Sequence, residues 1–359
     1  MNKDIIFEEF NRLNMKAGRY LLAFSGGPDS VFLLTMLKEY YNKELPKKVE
    51  ICYIDYHDSP FVKEEEKIVE DMVSSLFLVL HRYDTKIQQE KDRNFEDWAR
   101  NYRYSIFENL CRKHGFTALI TAHQSTDSIE TYILQKERGN LPLVYGLPEK
   151  TTLNGMNVYR PILSVGKKEL VHYLDQNHIP YYDDVTNYDN HTKRNLIRKE
   201  ELSKEREEEL KAEINEENRY LSLLYQKFTK LSYPIPFSTY DAFSEEEKKR
   251  LIFFLLGKEN LRIPFPRREG LAREIYEFLR GRKSSMLSLS DTFGLFRSGQ
   301  YFYIAQIHPN AFCYTFSEPG IYETEEFHID LRNPMTFHLP GFPIMIRSRK
   351  EKDRISTGL

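Results

Sequence analysis

A six-residue loop near the start of the chain constrains its fold more than any other feature. It lies between an apolar run at 20–24 and a helix-like run at 31–40, and its residues are Ser25, Gly26, Gly27, Pro28, Asp29 and Ser30. Glycines allow a tight turn close to a ligand, and the first N–H groups of a helix are unpaired donors at the positive end of its dipole. The pattern therefore predicts a phosphate-binding loop. The alternative is a glycine turn in which Ser and Asp cap the helix.

The same loop also limits the kind of phosphate chemistry. It has no lysine and does not follow the G-x-x-x-x-G-K-[ST] pattern, which disfavours an enzyme that transfers a γ-phosphate. Pro28 has no N–H, so the backbone donors must come from its neighbours. Because Asp29 would repel a bare phosphate, its position predicts a Mg²⁺ ion between the two.

Strand-like and helix-like runs alternate through the first half of the chain. This order is typical of parallel βαβ units and predicts an α/β fold, a doubly wound parallel sheet with its ligand site at the carboxyl ends of the strands. The predicted strands are 20–24, 49–55, 76–80 and 118–121. The predicted helices are 31–40, a stretch from about 62, 95–114 and 128–136.

The second half of the chain has a different pattern. Charged, helix-like residues at 192–233 precede two shorter helical runs at 244–256 and 268–280, and short β-like runs begin at 286. We therefore expect the α/β part to be followed by a helical domain and a short β-rich C-terminal part. The predicted domain bounds are 1–190, 191–285 and 286–359.

Composition narrows the class of protein. The 359 residues include 52 Lys and Arg against 54 Asp and Glu, a net charge of −2, which excludes a polycation that coats nucleic acid but allows a local basic face. Cys52, Cys111 and Cys313 form no C-x-x-C pair, which argues against a structural zinc site or a disulfide scaffold. No run approaches the ~20 apolar residues of a membrane span, and the start lacks the apolar core of a signal peptide. We expect a cytoplasmic protein with no membrane partner.

The loop S-G-G-x-D-S, with its flanking strand and helix, resembles that of the PP-loop (N-type) ATP pyrophosphatases. The resemblance implies a Rossmann-like fold that binds ATP and Mg²⁺. It also implies that ATP is cleaved between its α and β phosphates and that AMP passes to an oxygen of the substrate. The loop does not separate the branches of the family, which include NAD synthetases, tRNA thiolases and tRNA(Ile)-lysidine synthetases.

Later segments resemble the lysidine synthetases. Residues 96–104 match their E-x-x-A-R-x-x-R-Y helix, residues 122–131 match most of A-H-H-x-x-D-D-x-x-E-T, and residues 183–198 resemble D-x-S/T-N…R-N-x-I/L-R. The resemblance implies catalytic roles for Asp29, His123, Asp127 and Glu130, with Asp29 and Asp127 as metal ligands. It implies contacts to the substrate or tRNA for Arg100, Arg103, Arg138, Arg194, Asn195 and Arg198. Surface ion pairs are the alternative for the arginines, and a helix cap is the alternative for His123.

Two positions depart from the family pattern. Gln124 stands where a second histidine is usual, and Thr126 stands where an Asp or Asn is usual. These departures argue against a metal or proton-transfer role at the two positions, though not at His123 and Asp127.

The resemblance implies an RNA-modifying ligase. The wobble cytidine in the CAU anticodon of tRNA(Ile) is adenylated at its C2 oxygen, and the ε-amine of free L-lysine then displaces AMP to form lysidine. A carboxylate, Asp127 or Glu130, is the expected base or orienter of that amine. The basic residues at 262–283, with aromatic residues between them, predict the contact to the tRNA body. An ordinary amphipathic helix is the alternative there.

Two other functions stay open from the sequence alone. A PP-loop tRNA thiolase would share the adenylation step, but it needs cysteines or an iron–sulfur cluster, and the three cysteines are scattered. A catalytically weak tRNA-binding protein on a PP-loop scaffold is suggested by Gln124 and Thr126.

Overall fold

The computed structural model forms two compact units, Met1–Ser222 and Leu223–Leu359. The division falls inside one long helix, Lys204–Thr229. The residues that the structure describes are 3–55, 62–84, 95–153, 155–182, 203–259, 261, 265–281, 285–307, 313–323, 328–332 and 344–347.

A six-stranded sheet organises the first unit. Its strands are β1 (Tyr20–Ala23), β2 (Val49–Asp55), β3 (Leu80–Asp84), β4 (Ala118–Ile120), β5 (Lys150–Leu153) and β6 (Met156–Tyr159). The order is β3-β2-β1-β4-β6-β5, and all neighbours are parallel except the edge pair of β5 and β6. After β1 the chain adds β2 and then β3 on one side of β1. It then crosses back and places β4 on the other side of β1. The loops after β1 and β4 therefore leave a crevice at the carboxyl edge of the sheet.

Helices cover both faces of this sheet. The helices in this part of the chain are α1 (Lys3–Arg12), α2 (Pro28–Tyr41), α3 (Leu45–Lys48), α4 (Val62–Ser75), α5 (Phe95–His114), α6 (Ser125–Glu137) and α7 (Lys167–Gln176). The next helix, α8 (Lys204–Thr229), contains the division between the two units. One core joins the sheet to α1, α2, α4 and α7, and a second core joins it to α5. Leu21 and Leu22 in β1 are fully buried, one against each layer, which explains why the central strand is apolar throughout.

The second unit is built around an antiparallel sheet of order β7-β10-β9-β8. Its strands are β7 (Ile235–Pro236), β8 (Ser285–Ser288), β9 (Phe293–Ser298) and β10 (Tyr301–Gln306). Its helices are α9 (Phe237–Asp241), α10 (Glu245–Lys258) and α11 (Phe265–Arg280). Two further pairs are β11 (Cys313–Phe316) with β14 (Ile344–Arg347) and β12 (Ile321–Glu323) with β13 (His328–Asp330). Leu251, Leu279 and Phe302 are among the buried residues that join the helices to the four-stranded sheet.

The predicted α/β fold with helices on both faces is confirmed, and one predicted strand is wrong. The apolar run at 76–80 follows the end of helix α4 at Ser75 and begins with a turn, and strand β3 starts only at Leu80. Phe77 has φ +55° and is 85% exposed, so the run is apolar without being a buried strand. The hairpin of β5 and β6 and the helix α7 were not predicted. The three-domain division stays a prediction.

Among the described residues, no helix combines the length and the apolar character needed to cross a bilayer.

Candidate active site at the carboxyl edge of the sheet

The predicted phosphate loop connects β1 to α2 at the carboxyl edge of the sheet. Gly26 has φ +74°, and a Cβ at this position would come within 3.3 Å of Val69 Cγ2, so the turn requires glycine. Ser25 Oγ accepts a hydrogen bond from the Gly27 N–H at 3.3 Å. Ser30 Oγ donates to the Gly27 carbonyl at 2.9 Å and lies 3.4 Å from Ser25 Oγ. These contacts bring two hydroxyls and the start of α2 together at one point.

A lysine from another element stands beside this loop. Lys167 Nζ donates to Asp29 Oδ1 at 2.7 Å, and Lys167 is the first residue of α7. The two side chains are 40% and 31% exposed, so the ion pair is open to the crevice. The sequence showed a loop without a lysine and did not predict this partner. The structure therefore supplies a positive charge at the phosphate loop from a distant part of the chain.

The segment that follows β4 and continues into α6 carries the other predicted catalytic residues. Thr121 Oγ1 lies 2.8 Å from His123 Nδ1. Asp127 Oδ2 accepts from the Gln124 N–H at 2.9 Å, and Gln124 Oε1 accepts from the Thr126 N–H at 2.7 Å. These reciprocal bonds form a capping box at the start of α6. Gln124, which departs from the family pattern, thus begins the helix, and Asp127 is held in a fixed position.

Burial distinguishes the two carboxylates of this segment. Glu130 is 2% exposed, whereas Asp127 is half-buried. They lie three residues apart and so share one side of α6. Asp127 is therefore the more accessible carboxylate for a substrate amine, and Glu130 is better suited to orient groups behind it.

The starts of three helices are joined by short contacts. Ser125 begins α6, and its N–H donates to the carbonyl of Val165, two residues before α7, at 2.9 Å. The ion pair of Asp29 with Lys167 links α7 to α2. The N–H of Tyr182 donates to the Gly26 carbonyl at 2.9 Å, which ties a later segment to the loop. The positive ends of three helix dipoles thus meet at one edge of the sheet, an arrangement that suits a ligand with several negative charges.

A buried arginine lies on the β6 side of this edge. Arg160 follows β6 and is 4% exposed, and its Nη1 donates to the Pro148 carbonyl at 2.7 Å. Its Nε is buried and has no hydrogen-bond partner among the residues that the structure describes. Burial lowers the pKa of the Arg160 guanidinium, and the positive charge of Arg100 adds to this effect. Arg100 itself lies 5.1 Å from the centre of the Tyr104 ring. The sequence did not single out Arg160 as a site residue.

The structure describes only some of the residues predicted to contact the substrate or tRNA. Arg100 and Arg103 on α5 and Arg138 at the end of α6 are exposed. Arg194, Asn195 and Arg198 lie outside the described residues, so their roles stay predictions.

The donors at the loop fit the predicted Mg²⁺ ion. Asp29 offers a carboxylate, Ser25 and Ser30 offer hydroxyls, and Mg²⁺ in proteins commonly takes one or two carboxylates together with substrate phosphates. Asp127 already accepts a backbone N–H through Oδ2. Its role as a second metal ligand stays a prediction.

Two of the cysteines are poor candidates for sulfur chemistry. Cys52 and Cys111 are buried and unpaired. Burial raises the pKa of Cys52 to about 12 and that of Cys111 to about 11. The nucleophilic species is the thiolate, so neither side chain is prepared to carry sulfur near neutral pH.

Comparisons with known proteins agree with this geometry. A family model described as a PP-loop domain matches residues 3–205. The tRNA(Ile)-lysidine synthase of Mycoplasma mycoides subsp. mycoides SC is 37% identical over 184 residues, which cover 51% of this chain and 45% of that protein. The tRNA(Ile)-lysidine synthase of Mycoplasmopsis pulmonis is 32% identical over 212 residues, which cover 59% of this chain and 68% of that protein. The chain spans about half the length of the first curated relatives it matches.

One solved structure shares the fold at low sequence identity. The U34-tRNA thiolase NcsA from Methanococcus maripaludis, solved with its [4Fe-4S] cluster, is 15% identical with a TM-score of 0.51. The match covers 61% of this chain and 78% of that chain. At this identity the likeness concerns the fold alone.

Proposed function

Since the chain belongs to the PP-loop family and, within it, to the tRNA(Ile)-lysidine synthases, we propose that it ligates free L-lysine to the wobble cytidine of tRNA(Ile). The CAU anticodon supplies the cytidine, and ATP activates its C2 oxygen by adenylation with release of pyrophosphate. The amine of lysine then attacks C2 and expels AMP. One observation carries the proposal. The ion pair of Asp29 with Lys167 and the hydrogen bond from Ser125 to Val165 bring the phosphate loop together with the starts of α6 and α7.

The adenylation step uses the loop and its surroundings. The N–H groups at the start of α2 and the hydroxyls of Ser25 and Ser30 hold the phosphates of ATP. Lys167 adds a positive charge at the same point. Mg²⁺, bound by Asp29, would neutralise the charge that develops on the leaving pyrophosphate. Activation matters because an oxygen at C2 is a poor leaving group and AMP is a good one.

The ligation step uses the segment that begins α6. The lysine ammonium must lose a proton before it can attack, so a carboxylate that accepts or orients it is required. Asp127 fits this role because the capping box fixes its position and leaves it half-exposed. Thr121 holds the ring of His123, which places a second titratable group on the same segment. Glu130 lies one turn further along α6 and is buried.

We assign tRNA binding to exposed cationic side chains of the first unit. Arg100 and Arg103 face solvent on α5, and Arg138 does so at the end of α6. Phosphate contacts position an RNA, whereas stacking and polar contacts in a splayed loop select the base. The proposal assigns Arg194, Asn195 and Arg198 to the same function.

The test is mass analysis of nucleosides from a tRNA(Ile) transcript incubated with the protein, ATP, Mg²⁺ and lysine. We expect lysidine, and a transcript whose wobble base is uridine should give none. Incorporation of sulfur from a sulfur donor, with no product from lysine, would instead identify a thiolase. Absence of ATP–pyrophosphate exchange in the presence of the transcript would leave only a tRNA-binding protein.

A further inference from the structure

A second cluster of polar side chains lies at the opposite edge of the same sheet. Glu50 is the second residue of β2, His81 is the second residue of β3, and His114 is the last residue of α5. One carboxylate oxygen and one nitrogen from each imidazole all lie within 4.8 Å of one another. Among the described residues, no other group of three His, Cys, Asp or Glu side chains meets this condition. The cluster is remote from the phosphate loop, because most of β2 separates Glu50 from the carboxyl edge of the sheet.

The three side chains are held in place by their neighbours. Glu50 is 9% exposed, and its Oε2 lies 2.7 Å from His81 Nε2. The rings of His81 and His114 are 4.9 Å apart between their centres, and His114 stacks on Phe116. Arg19 Nη2 donates to Glu50 Oε1, the other oxygen of the carboxylate. Each ligand is therefore fixed by packing or by a hydrogen bond.

An ion pair explains only part of this arrangement. Arg19 and His81 suffice to satisfy the Glu50 carboxylate, and they leave the second imidazole unexplained. Two imidazoles and one carboxylate are a donor set that zinc uses in proteins, with water or another ligand in the fourth position. The absence of C-x-x-C pairs argued against a structural zinc site, but this cluster contains no cysteine, so that argument does not apply to it. Its second carboxylate oxygen is already held by Arg19, as outer-shell partners commonly hold metal-binding carboxylates.

We propose that Glu50, His81 and His114 form a binding site for a divalent transition-metal ion of the zinc type. The ion joins the amino ends of two neighbouring strands to the end of α5. It stabilises the first unit without taking part in the chemistry at the carboxyl edge. Arg19 has two opposed effects, because it orients the carboxylate and also repels the cation.

The experiment is a zinc titration of the metal-free, tag-free full chain in competition with a chromophoric chelator. Visible absorption of Co²⁺ serves as a second reading, since a four-coordinate site gives intense bands. We expect one equivalent to bind. The melting temperature should rise by about 5–10 °C when the free metal is a hundredfold above Kd. His81→Asn and His114→Asn should each weaken binding more than tenfold.

Two further variants are controls for the location of the site. His172→Asn removes an exposed histidine on α7 and should leave zinc binding unchanged. Asp29→Asn should also leave it unchanged, which separates this site from the phosphate loop. The proposal is overturned if the wild-type chain binds no zinc or if both histidine variants bind it normally. None of these measurements depends on lysidine formation. The metal site can therefore be tested even if the proposed function is wrong.

Discussion

The two compact units present polar side chains in different ways. In the first unit a parallel sheet brings residues from distant parts of the chain to one edge, where Asp29, His123 and Lys167 lie beside helix starts. In the second unit an antiparallel sheet of order β7-β10-β9-β8 packs against helices, and some of its cationic residues lie on the exposed side of a helix. Arg273 and Arg280 on α11 are exposed, while the same helix buries Ile275 and Leu279.

From this difference we expect the chemical steps to depend on the first unit and part of the tRNA affinity to depend on the second. The PP-loop match ends at residue 205, before the second unit begins. Substitutions of Asp29, Asp127 and Lys167 in the first unit should change ATP binding or individual chemical steps and leave tRNA affinity intact. Substitutions on α11 should change tRNA affinity and leave the chemical steps intact. A substitution on α11 that changed a chemical step would contradict this separation of roles.

The largest effect is expected from Asp29→Ala, which should reduce adenylation to background. The substitution removes the carboxylate proposed to hold Mg²⁺ beside the departing pyrophosphate. The ion pair with Lys167 that it breaks is partly exposed, so the melting temperature and tRNA affinity should change little. Pyrophosphate release in the presence of tRNA measures the step. Release at the wild-type rate would remove Asp29 from the metal site.

The next largest effect is expected from Asp127→Asn, which should separate the two steps. Asparagine keeps an oxygen that can accept the Gln124 N–H, so the helix cap should survive. Removal of the charge should slow the attack of lysine by about 10²–10⁴, the usual contribution of a general base, and adenylated tRNA should accumulate. Quenched-flow measurements with and without lysine follow both steps. Asp175→Asn on α7 is the charge-matched control, and failure of adenylation itself would instead assign Asp127 to the metal.

A smaller effect is expected from Lys167→Gln, with the exposed neighbour Lys168→Gln as its control. Removal of one charge-assisted hydrogen bond to a phosphate should weaken binding of a non-hydrolysable ATP analogue by about 10–100-fold. The change also removes the cation from Asp29, so less Mg²⁺ should be needed for half-maximal binding. Calorimetry at several Mg²⁺ concentrations measures both quantities. Equal behaviour of the two variants would mean that Lys167 only pairs with Asp29.

The smallest effect is expected in the second unit. Arg273→Ala combined with Arg280→Ala should weaken tRNA binding and reduce the slope of log K against log salt by about 0.7–0.9 for each phosphate that is no longer neutralised. Binding of the ATP analogue should not change. Glu274→Gln on the same helix is the control, since it removes a negative charge and should not reduce the slope. An unchanged slope in the arginine variant would show that α11 does not contact RNA.

The sequence predicted those features that depend on local patterns. Alternating apolar runs predicted the α/β fold, and the glycine pair predicted a turn that the structure confirms at Gly26. Lys167 could not be predicted, because its contact with Asp29 depends on the packing of α7 beside α2 and no nearby residue signals it. Arg160 was missed for a similar reason, since its burial is a tertiary property. Gln124 looked like a missing histidine, and only the hydrogen bonds identify it as a helix cap.

The pairing of Asp29 with Lys167 has a consequence for the synthesis of the protein. The two residues are 138 positions apart in the chain. At translation rates of about 5–20 residues per second, about 7–30 s pass between their incorporation. During this interval the nascent chain contains a phosphate loop that carries the carboxylate of Asp29 without its lysine. Helix α7 is also missing during this interval, although its Leu170 and Leu174 belong to the core that packs α2 against the sheet. The nucleotide site is therefore completed only after α7 has been synthesised and has packed beside α2.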